Sequence, residues 1–180
     1  MDRNALRAID EYLVAAARAG DRRAFATLAG RWHGKLVAHA WRLTGDPEMA
    51  RDAAQGAWVE IVRGLFRLQD ERAFPAWAYR IVSRRCAKQV GEAVRRRELA
   101  AELAALPQAE ASEPSDSLAA RRLRSAMALL PPEQRSALAL FHLEEMSVAE
   151  VAVALDVPLG TVKTRLLHAR RKLREAIEGE

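Results

Sequence analysis

The segment from Thr161 to Arg174 carries six lysines or arginines and no acidic residue. Cationic side chains at this density can hold the phosphates of a nucleic acid, and some of them can reach base edges. Apolar residues recur in the same segment at steps of four, three and four, at Val162, Leu166, Ala169 and Leu173. This spacing predicts a helix that packs on one side. The opposite side would then present Thr164, His168 and Arg171, flanked by Lys163, Leu167, Arg170 and Arg174.

The residues before this helix predict a helix-turn-helix. Ser147 and Glu150 stand in the S-x-x-E relation, in which each side chain caps a backbone amide. An apolar face follows at Val148, Val151, Ala152 and Leu155. Pro158 cannot continue the helix, Gly160 tolerates the angles of a tight turn, and Thr161 can cap a longer second helix. A solvated basic surface helix is the alternative interpretation, but the cap, the turn and the one-sided charge together favour DNA binding.

A second basic segment, from Arg80 to Arg97, holds seven basic residues and one acid. We expect it to continue a helix that begins at Pro75. Trp77 and Tyr79 lie near its start and are candidates for stacking on unpaired bases, a contribution of about 1–3 kcal/mol per base. Trp77 also shares a helix face with Ile81, so a place in the core is the alternative for this residue.

The other elements also have helical patterns. Residues 5–19 form one predicted helix, and residues 22–43 form one or two. Asp21 can cap the second of these segments, and Asp46 followed by Pro47 begins a third. The predicted buried side of this third helix consists of Met49, Ala53, Ala57, Trp58, Ile61, Val62 and Leu65. Its outward polar residues are Arg51, Asp52, Gln55 and Glu60.

Residues 98–117 contain five acids, no base and two prolines, a composition typical of a flexible acidic linker. Helical patterns resume at residues 118–130 and 132–145. The period-two alternation of β-strands is absent from the sequence. We therefore predict an all-α protein with two small helical domains, residues 1–97 and 118–180, of which the second is the helix-turn-helix.

Several functional classes are excluded by composition. The sequence has no apolar run of 18 residues, and its charged N-terminus does not resemble a signal peptide, so we expect a cytoplasmic protein. Its one cysteine, Cys86, allows neither an internal disulfide nor a cysteine-cluster zinc site. The histidines His33, His39, His142 and His168 lack metal-ligand spacing, and no phosphate loop or nucleophile motif is present. We expect no cofactor and no enzymatic activity.

Motifs in both halves of the chain resemble those of bacterial extracytoplasmic-function sigma factors. In the C-terminal half they lie at residues 130–135, 147–152, 160–166 and 169–170, and in the N-terminal half at residues 21–25, 50–55 and 77–81. The resemblance covers nearly the whole chain and implies a dissociable promoter-specificity subunit of RNA polymerase. It implies core RNA polymerase, promoter DNA and an anti-sigma protein as partners. We expect neither membrane insertion nor a small-molecule substrate.

The resemblance also implies roles for individual residues. In the family, the helix with the Asp-x-x-Gln pattern docks on the polymerase clamp, which here points to Asp52, Gln55 and Glu60. A loop and the helix after it capture a flipped base of the melted minus-ten element, which points to Arg67, Gln69, Asp70, Arg72, Trp77, Arg80, Arg84 and Lys88. The last helix reads the minus-thirty-five element in the major groove. Its implied contacts are Thr161 at the helix start, Lys163, Thr164, Leu167 and His168 near bases, and Arg165, Arg170 and Arg171 on phosphates.

The chain departs from the family pattern at some of these positions. Where the family usually has Asn and Asp, this chain has Arg84 and Lys88, so we expect an unusual promoter preference. The aromatic residue often found at the position of Leu167 and the Arg often found at His168 are also absent. The alternative function is a helix-turn-helix regulator that acts without joining core polymerase. That alternative leaves the basic helix after Trp77 without a role.

Overall fold

The computed structural model describes residues 3–100 and 125–178, and these residues are all-α, as predicted. The helices are α1 (Arg3–Arg18), α2 (Arg22–Thr44), α3 (Pro47–Gly64), α4 (Phe74–Ala100), α5 (Pro132–His142), α6 (Val148–Leu155) and α7 (Leu159–Glu178). Residues 125–128 form a further helical turn. Two short 3-10 turns, Leu65–Arg67 and Glu71–Ala73, form most of the connection between α3 and α4. Most of the predicted acidic linker, and most of the helix predicted at residues 118–130, lie outside the described residues.

Local capping determines where the N-terminal helices begin, which confirms the sequence prediction. Asp21 accepts hydrogen bonds from the backbone amides two and three residues further on, at 2.8 and 3.1 Å. Asp46 makes the equivalent bonds at 2.8 and 3.0 Å before α3. Each cap satisfies amides that lack a partner within the helix, and its loss costs about 1 kcal/mol. The segment with Gly30 and Gly34 forms the single helix α2, because burial of its apolar face outweighs the weak propensity of two glycines.

An aromatic cluster joins α2 to α4 in the core. Trp32 lies edge-on to Phe74 and Tyr79, with ring centroids 5.2 and 5.6 Å apart. Tyr79 is fully buried, so the stacking role predicted for it is wrong: its ring already lies among core side chains. Phe74 begins α4 one residue before the predicted start at Pro75. Cys86 is also a core residue, and burial raises the pKa of its thiol to about 12, which favours the protonated thiol at neutral pH.

His39 is a neutral histidine inside this core. Its Nε2 lies 2.9 Å from the Ser83 hydroxyl, and its side chain is fully buried. Burial, reinforced by the nearby Arg42 guanidinium, lowers the pKa of His39 to about 3. The imidazole therefore stays unprotonated in the folded chain at pH values where an exposed histidine would carry a charge.

We expect this histidine to make the fold sensitive to mild acid. Below the usual histidine pKa of 6.5 the unfolded chain binds a proton that the folded chain does not, so stability falls with falling pH until the folded pKa is reached. Between about pH 7 and about pH 5 the loss should be about 2 kcal/mol. Urea unfolding at both pH values measures it. His39→Gln should be less stable overall but should lose much less between the two pH values; equal losses would contradict this assignment.

The C-terminal helices contain the predicted capping box. Ser147 Oγ accepts a hydrogen bond from the Glu150 amide at 3.2 Å, and Glu150 Oε2 accepts one from the Ser147 amide at 2.7 Å. The predicted apolar stripe of α7 is also confirmed. Its members Val162, Leu166 and Ala169 are buried, and Leu173 packs against the same core.

The turn between α6 and α7 differs from the prediction. Asp156 adopts the left-handed conformation, with φ 55° and ψ 46°, and its amide bonds the carbonyls at the end of α6. Gly160 is helical, so the prediction that it forms the tight turn is wrong. The predicted cap at Thr161 is also wrong, because α7 has already begun at Leu159. The Pro158 carbonyl accepts the Thr161 amide at 3.0 Å, which extends the helix towards the turn.

The N-terminal and C-terminal helices pack against each other. Helix α6 lies along α4, and α5 lies against α2, so that buried side chains of both halves form one continuous cluster. The Arg135 guanidinium donates to the Arg42 carbonyl through Nε at 3.2 Å and Nη2 at 2.8 Å. This carbonyl lies in the last turn of α2, where no helical amide can reach it. The arrangement places the helix-turn-helix beside the basic segment of α4.

Candidate nucleic-acid interface

The outer face of α7 presents most of the side chains predicted to meet DNA. The exposed ones are Lys163, Thr164, Leu167, Arg170 and Arg171. The other three predicted contacts, Thr161, Arg165 and His168, are half-buried. Because the buried stripe holds the opposite side of the helix, these cations face solvent together. The face has the shape and charge of an element that enters a major groove.

Neighbouring groups contact three of these side chains. The Arg170 guanidinium lies over the Phe141 ring, 5.5 Å from its centroid. Arg171 pairs with Glu175 one turn later at 3.7 Å, a distance at which water and phosphate compete easily. The Thr164 hydroxyl donates to the Gly160 carbonyl at 3.1 Å, which leaves its oxygen free to accept. At helical spacing, Lys163 and Leu167 lie between Arg170 and Thr164 on the same face of α7.

Asp70 and Arg72 form an ion pair within the loop between α3 and α4. Asp70 accepts the Arg72 amide at 2.9 Å and the Arg72 guanidinium at 3.0 and 3.1 Å. These bonds hold the pKa of the Asp70 carboxyl below its usual value. Arg67 and Gln69 are exposed on the same loop. The predicted base-capture residues of the loop therefore sit on a short, internally bonded surface segment.

The basic face of α4 continues from this loop. Arg80, Arg84 and Lys88 recur every four residues, and the last two are exposed. Trp77 is half-buried and packs against the core, as its alternative interpretation proposed. A Cβ built at Gly64 would lie 2.8 Å from its ring, so the close approach of the end of α3 to Trp77 requires glycine. The remaining, partly exposed surface of the indole is what a nucleotide could contact.

The turn of the helix-turn-helix lies on this basic face. Asp156 Oδ1 accepts from Arg80 at 2.8 and 3.0 Å, and Asp156 Oδ2 accepts from Arg84 at 2.8 Å. The Arg84 hydrogen bond, followed by that of Arg80, lowers the pKa of the Asp156 carboxyl. Two of the three predicted minus-ten cations on this face are thus paired with an acid from the other half of the chain.

A row of exposed residues runs along α3 and past its end. Its members, here named the α3 stripe, are Asp52, Gln55, Val59, Val62 and Phe66. The last three are 49%, 46% and 63% exposed, so the predicted burial of Val62 is wrong. The sequence pattern predicted burial for Val62 and made no prediction for Val59 and Phe66. The sequence signal for this row is the spacing of its successive members, which alternates between three and four residues from Asp52 onwards.

Glu60 lies off the α3 stripe. Its carboxylate pairs with Arg85 of α4 at 2.5 Å, and the Arg85 guanidinium fills the space where a Cβ on Gly56 would lie. Beside the stripe, a shallow groove between α2 and α3 is lined by Phe25, Gly30, His33 and Trp58 among others. The structure therefore brings Asp52 and Gln55 together with an apolar surface and separates Glu60 from them.

No cluster of His, Cys, Asp or Glu within residues 3–100 and 125–178 could hold a metal ion. In the same described part of the chain, none of the helices combines the length and the apolar character needed to cross a membrane.

Comparison with known proteins identifies the family. Residues 28–97 match the family model of Sigma-70 region 2, and residues 120–173 match that of Sigma-70 region 4. The ECF RNA polymerase sigma factor SigM of Mycobacterium tuberculosis is 34% identical over 168 residues, which cover 91% of this chain and 82% of that protein. The RNA polymerase sigma-H factor of Pseudomonas aeruginosa is 29% identical over 182 residues, 94% of each chain.

The fold is also similar to a solved structure. The sigma factor RpoE of Bartonella quintana, crystallised with the anti-sigma factor NepR, superposes with a TM-score of 0.72 at 21% identity, over 86% of this chain and 96% of that one. Both halves of the chain match in the expected order. The chain therefore belongs to the extracytoplasmic-function sigma factors, the RNA polymerase subunits that direct transcription initiation to particular promoters.

Proposed function

We propose that two helical domains divide promoter recognition between them. Residues 1–97 bind core polymerase and the minus-ten element, residues 118–180 bind the minus-thirty-five element, and residues 98–117 are the acidic linker. The observation that carries this proposal is that one chain presents both exposed basic helix faces and the exposed apolar α3 stripe. A regulator that acts without polymerase needs the basic faces but has no use for the stripe.

The α3 stripe is the proposed docking surface for core polymerase. A row of exposed apolar side chains with a polar end is typical of a protein-binding site, because solvent contact of this apolar area costs free energy that a partner can recover. Asp52 and Gln55 provide hydrogen-bonding groups, and Val59, Val62 and Phe66 provide apolar area. The adjoining groove between α2 and α3 extends that area. We place Glu60 beside this surface, where it holds α4 against α3.

Helix α7 is the proposed reader of the minus-thirty-five element. Lys163, Thr164, Leu167 and His168 would approach base edges, and Thr161 lies at the end of α7 that enters the groove. Arg165, Arg170 and Arg171 would hold phosphates. The exposure of this face supports the assignment, as does the contact of the Arg170 guanidinium with the Phe141 ring. Ammonium and guanidinium groups favour guanine, and the Leu167 side chain can contact a thymine methyl group.

The loop and the basic face of α4 are the proposed minus-ten site. Extruding a base costs a few kcal/mol, and a surface that is already ordered repays more of that cost. The Asp70–Arg72 pair orders the loop in this way. Arg67 and Gln69 are available to the flipped base, Trp77 offers a ring edge beside it, and Arg80, Arg84 and Lys88 form a track for the phosphates of the unpaired strand.

The remaining expectations are proposals of the same kind. We place the protein in the cytoplasm, where its polymerase and promoters are, and we assign it no catalytic activity of its own. An anti-sigma protein, which the family resemblance implies, is a further proposed partner.

Run-off transcription tests the whole proposal. The full chain, added to core polymerase on genomic DNA fragments, should yield discrete transcripts that core polymerase alone does not make. A regulator that never joins polymerase would bind fragments without producing transcripts, and that outcome would support the alternative.

Neutralising the exposed end of the α4 track should slow promoter opening. In the holoenzyme, Arg84→Ala with Lys88→Ala removes two proposed phosphate contacts, so opening should be slower by roughly tenfold with little change in closed-complex binding. Permanganate reactivity of unpaired thymines measures opening. Arg95→Ala with Arg96→Ala removes the same charge further along α4 and is the matched control. Equal thymine reactivity in both double variants would argue against the track.

A further inference from the structure

Asp156 connects the two halves of the chain through proposed DNA-binding residues. Both of its carboxylate oxygens accept hydrogen bonds across the interface, Oδ1 from Arg80 at 2.8 and 3.0 Å and Oδ2 from Arg84 at 2.8 Å. The two arginines lie one turn apart on α4, a spacing at which the carboxylate can bind both. The carboxylate thus binds two guanidinium groups that the proposed function assigns to DNA phosphates.

The position of Asp156 follows from the backbone. Its left-handed conformation ends α6, and its amide is bonded to the carbonyls of Ala152 and Val153. Helix α6 in turn packs along α4. The side chain is therefore presented to Arg80 and Arg84 by a rigid turn on a packed helix, and not by a freely moving surface loop.

Other polar contacts across the interface leave the DNA-binding residues alone. Lys35 pairs with Glu144 at 2.9 Å, and Arg135 bonds the Arg42 carbonyl. These contacts hold the halves together without covering any residue proposed to meet DNA. Within the described residues, the Asp156 ion pairs are the ones that both join the halves and neutralise the α4 track.

We infer that Asp156 is an autoinhibitory contact, which occupies Arg80 and Arg84 in the free chain until the phosphates of single-stranded DNA replace it. This inference rests on the proposed role of α4 in binding the unpaired minus-ten strand. The α4 track and α6 cannot be in contact while a DNA strand lies between them, so binding requires the halves to separate. The outer face of α7 stays exposed in the closed form, so the autoinhibition acts on the minus-ten site alone.

The contact is weak enough to be reversed. Asp156, Arg80 and Arg84 are 38%, 40% and 60% exposed, so water and salt screen both pairs. When only a fraction of the protein is in the form that can bind DNA, the measured affinity is the intrinsic affinity reduced to that fraction. Removing the Asp156 charge should therefore raise the affinity of the free chain for single-stranded DNA by about fivefold.

Asp156→Asn in the full chain is the test, because asparagine tolerates the left-handed conformation and keeps the shape of the side chain. Glu133→Gln is the matched control: it removes one acid from an exposed position on α5. The probe is a fluorescent single-stranded oligonucleotide of mixed sequence, with binding followed by anisotropy. Small-angle X-ray scattering of the same proteins without DNA reports whether the halves separate.

A thermodynamic cycle then separates this inference from the proposed function. Each variant is combined with Arg80→Ala and Arg84→Ala. We expect Asp156→Asn to expand the chain and to bind DNA more tightly than Glu133→Gln, and we expect that extra affinity to vanish when both arginines are replaced. Equal compactness and equal affinity of the two single variants would overturn the autoinhibitory contact. A gain that persists without the arginines would also overturn the contact, because Asp156 would then act through other groups. If Asp156→Asn expands the chain but replacing both arginines in it leaves its affinity for DNA unchanged, the DNA-binding role of α4 is overturned instead.

Discussion

Replacing Val59 and Val62 together by Asp is expected to weaken binding of core polymerase by about a hundredfold. Both side chains lie in the middle of the α3 stripe, where a docked partner would exclude water from them. Losing two buried contacts of hot-spot size, at about 2 kcal/mol each, would weaken binding by more than a hundredfold. A carboxylate in place of each valine adds the cost of removing its charge from water. The fold should survive, because both side chains are half exposed in the free chain.

A matched pair of substitutions controls for the added charge. Val90→Asp with Val94→Asp makes the same chemical change on α4, at positions 37% and 44% exposed and away from the stripe. This control should bind core polymerase within about twofold of the parent, as surface changes remote from an interface do. Affinity for labelled core polymerase measures the effect, and thermal unfolding by circular dichroism verifies the fold. If both double variants bind alike, the docking surface lies elsewhere.

The polar end of the α3 stripe should make its own contribution to the affinity for core polymerase. Asp52→Arg with Gln55→Ala reverses a charge and removes an amide, and we include it in the same binding assay. An intact affinity in this variant, together with a loss in the valine variant, would restrict the interface to the apolar part of the stripe.

The second large effect is expected on α7. Lys163→Ala or His168→Ala should cost about 1–3 kcal/mol on the preferred upstream element and relax the preference at one base position. Arg171→Ala should instead weaken all sequences alike and reduce the slope of log affinity against log salt by about one, because one phosphate contact is lost. These signatures differ because base edges carry sequence information and phosphates do not.

Binding of the full chain to duplexes with single-base changes, at several salt concentrations, measures both signatures. The full chain is suitable because the outer face of α7 is exposed even where the two halves pack together. His168 is half-buried and Lys163 is exposed, so we expect the larger change in base preference from Lys163. Identical sequence profiles for the three variants would mean that another face of α7 meets the bases.

Local chemistry explains why much of the fold could be predicted from the sequence. Asp21, Asp46 and Ser147 cap helices through amides two or three residues away, so their own neighbourhood determines the result. The buried stripe of α7 follows equally from its spacing, because one face of any helix that packs must be apolar. The density of cations on α7 likewise needs no tertiary information.

Side chains whose environment comes from remote segments could not be placed in this way. The sequence predicted that Tyr79 could stack on bases and that Val62 would be buried, yet Tyr79 is enclosed against α2 and Val62 is exposed. Only the assembled helices decide which side chains are covered. The prediction of the tight turn at Gly160 was wrong for a related reason. Glycine is the usual left-handed residue, but here helix packing and Pro158 place that conformation at Asp156.

By itself, the sequence determined that this chain is all-helical, that it has basic faces suited to DNA, and that its motifs are those of a sigma factor. The tertiary structure alone decided what those faces contact in the free chain. Asp156 is 76 residues from Arg80 and 72 from Arg84, so no periodicity or capping rule could connect them. Their pairing depends on α6 packing along α4. Charged groups so far apart in the sequence form an ion pair only where the fold has already brought their backbones together.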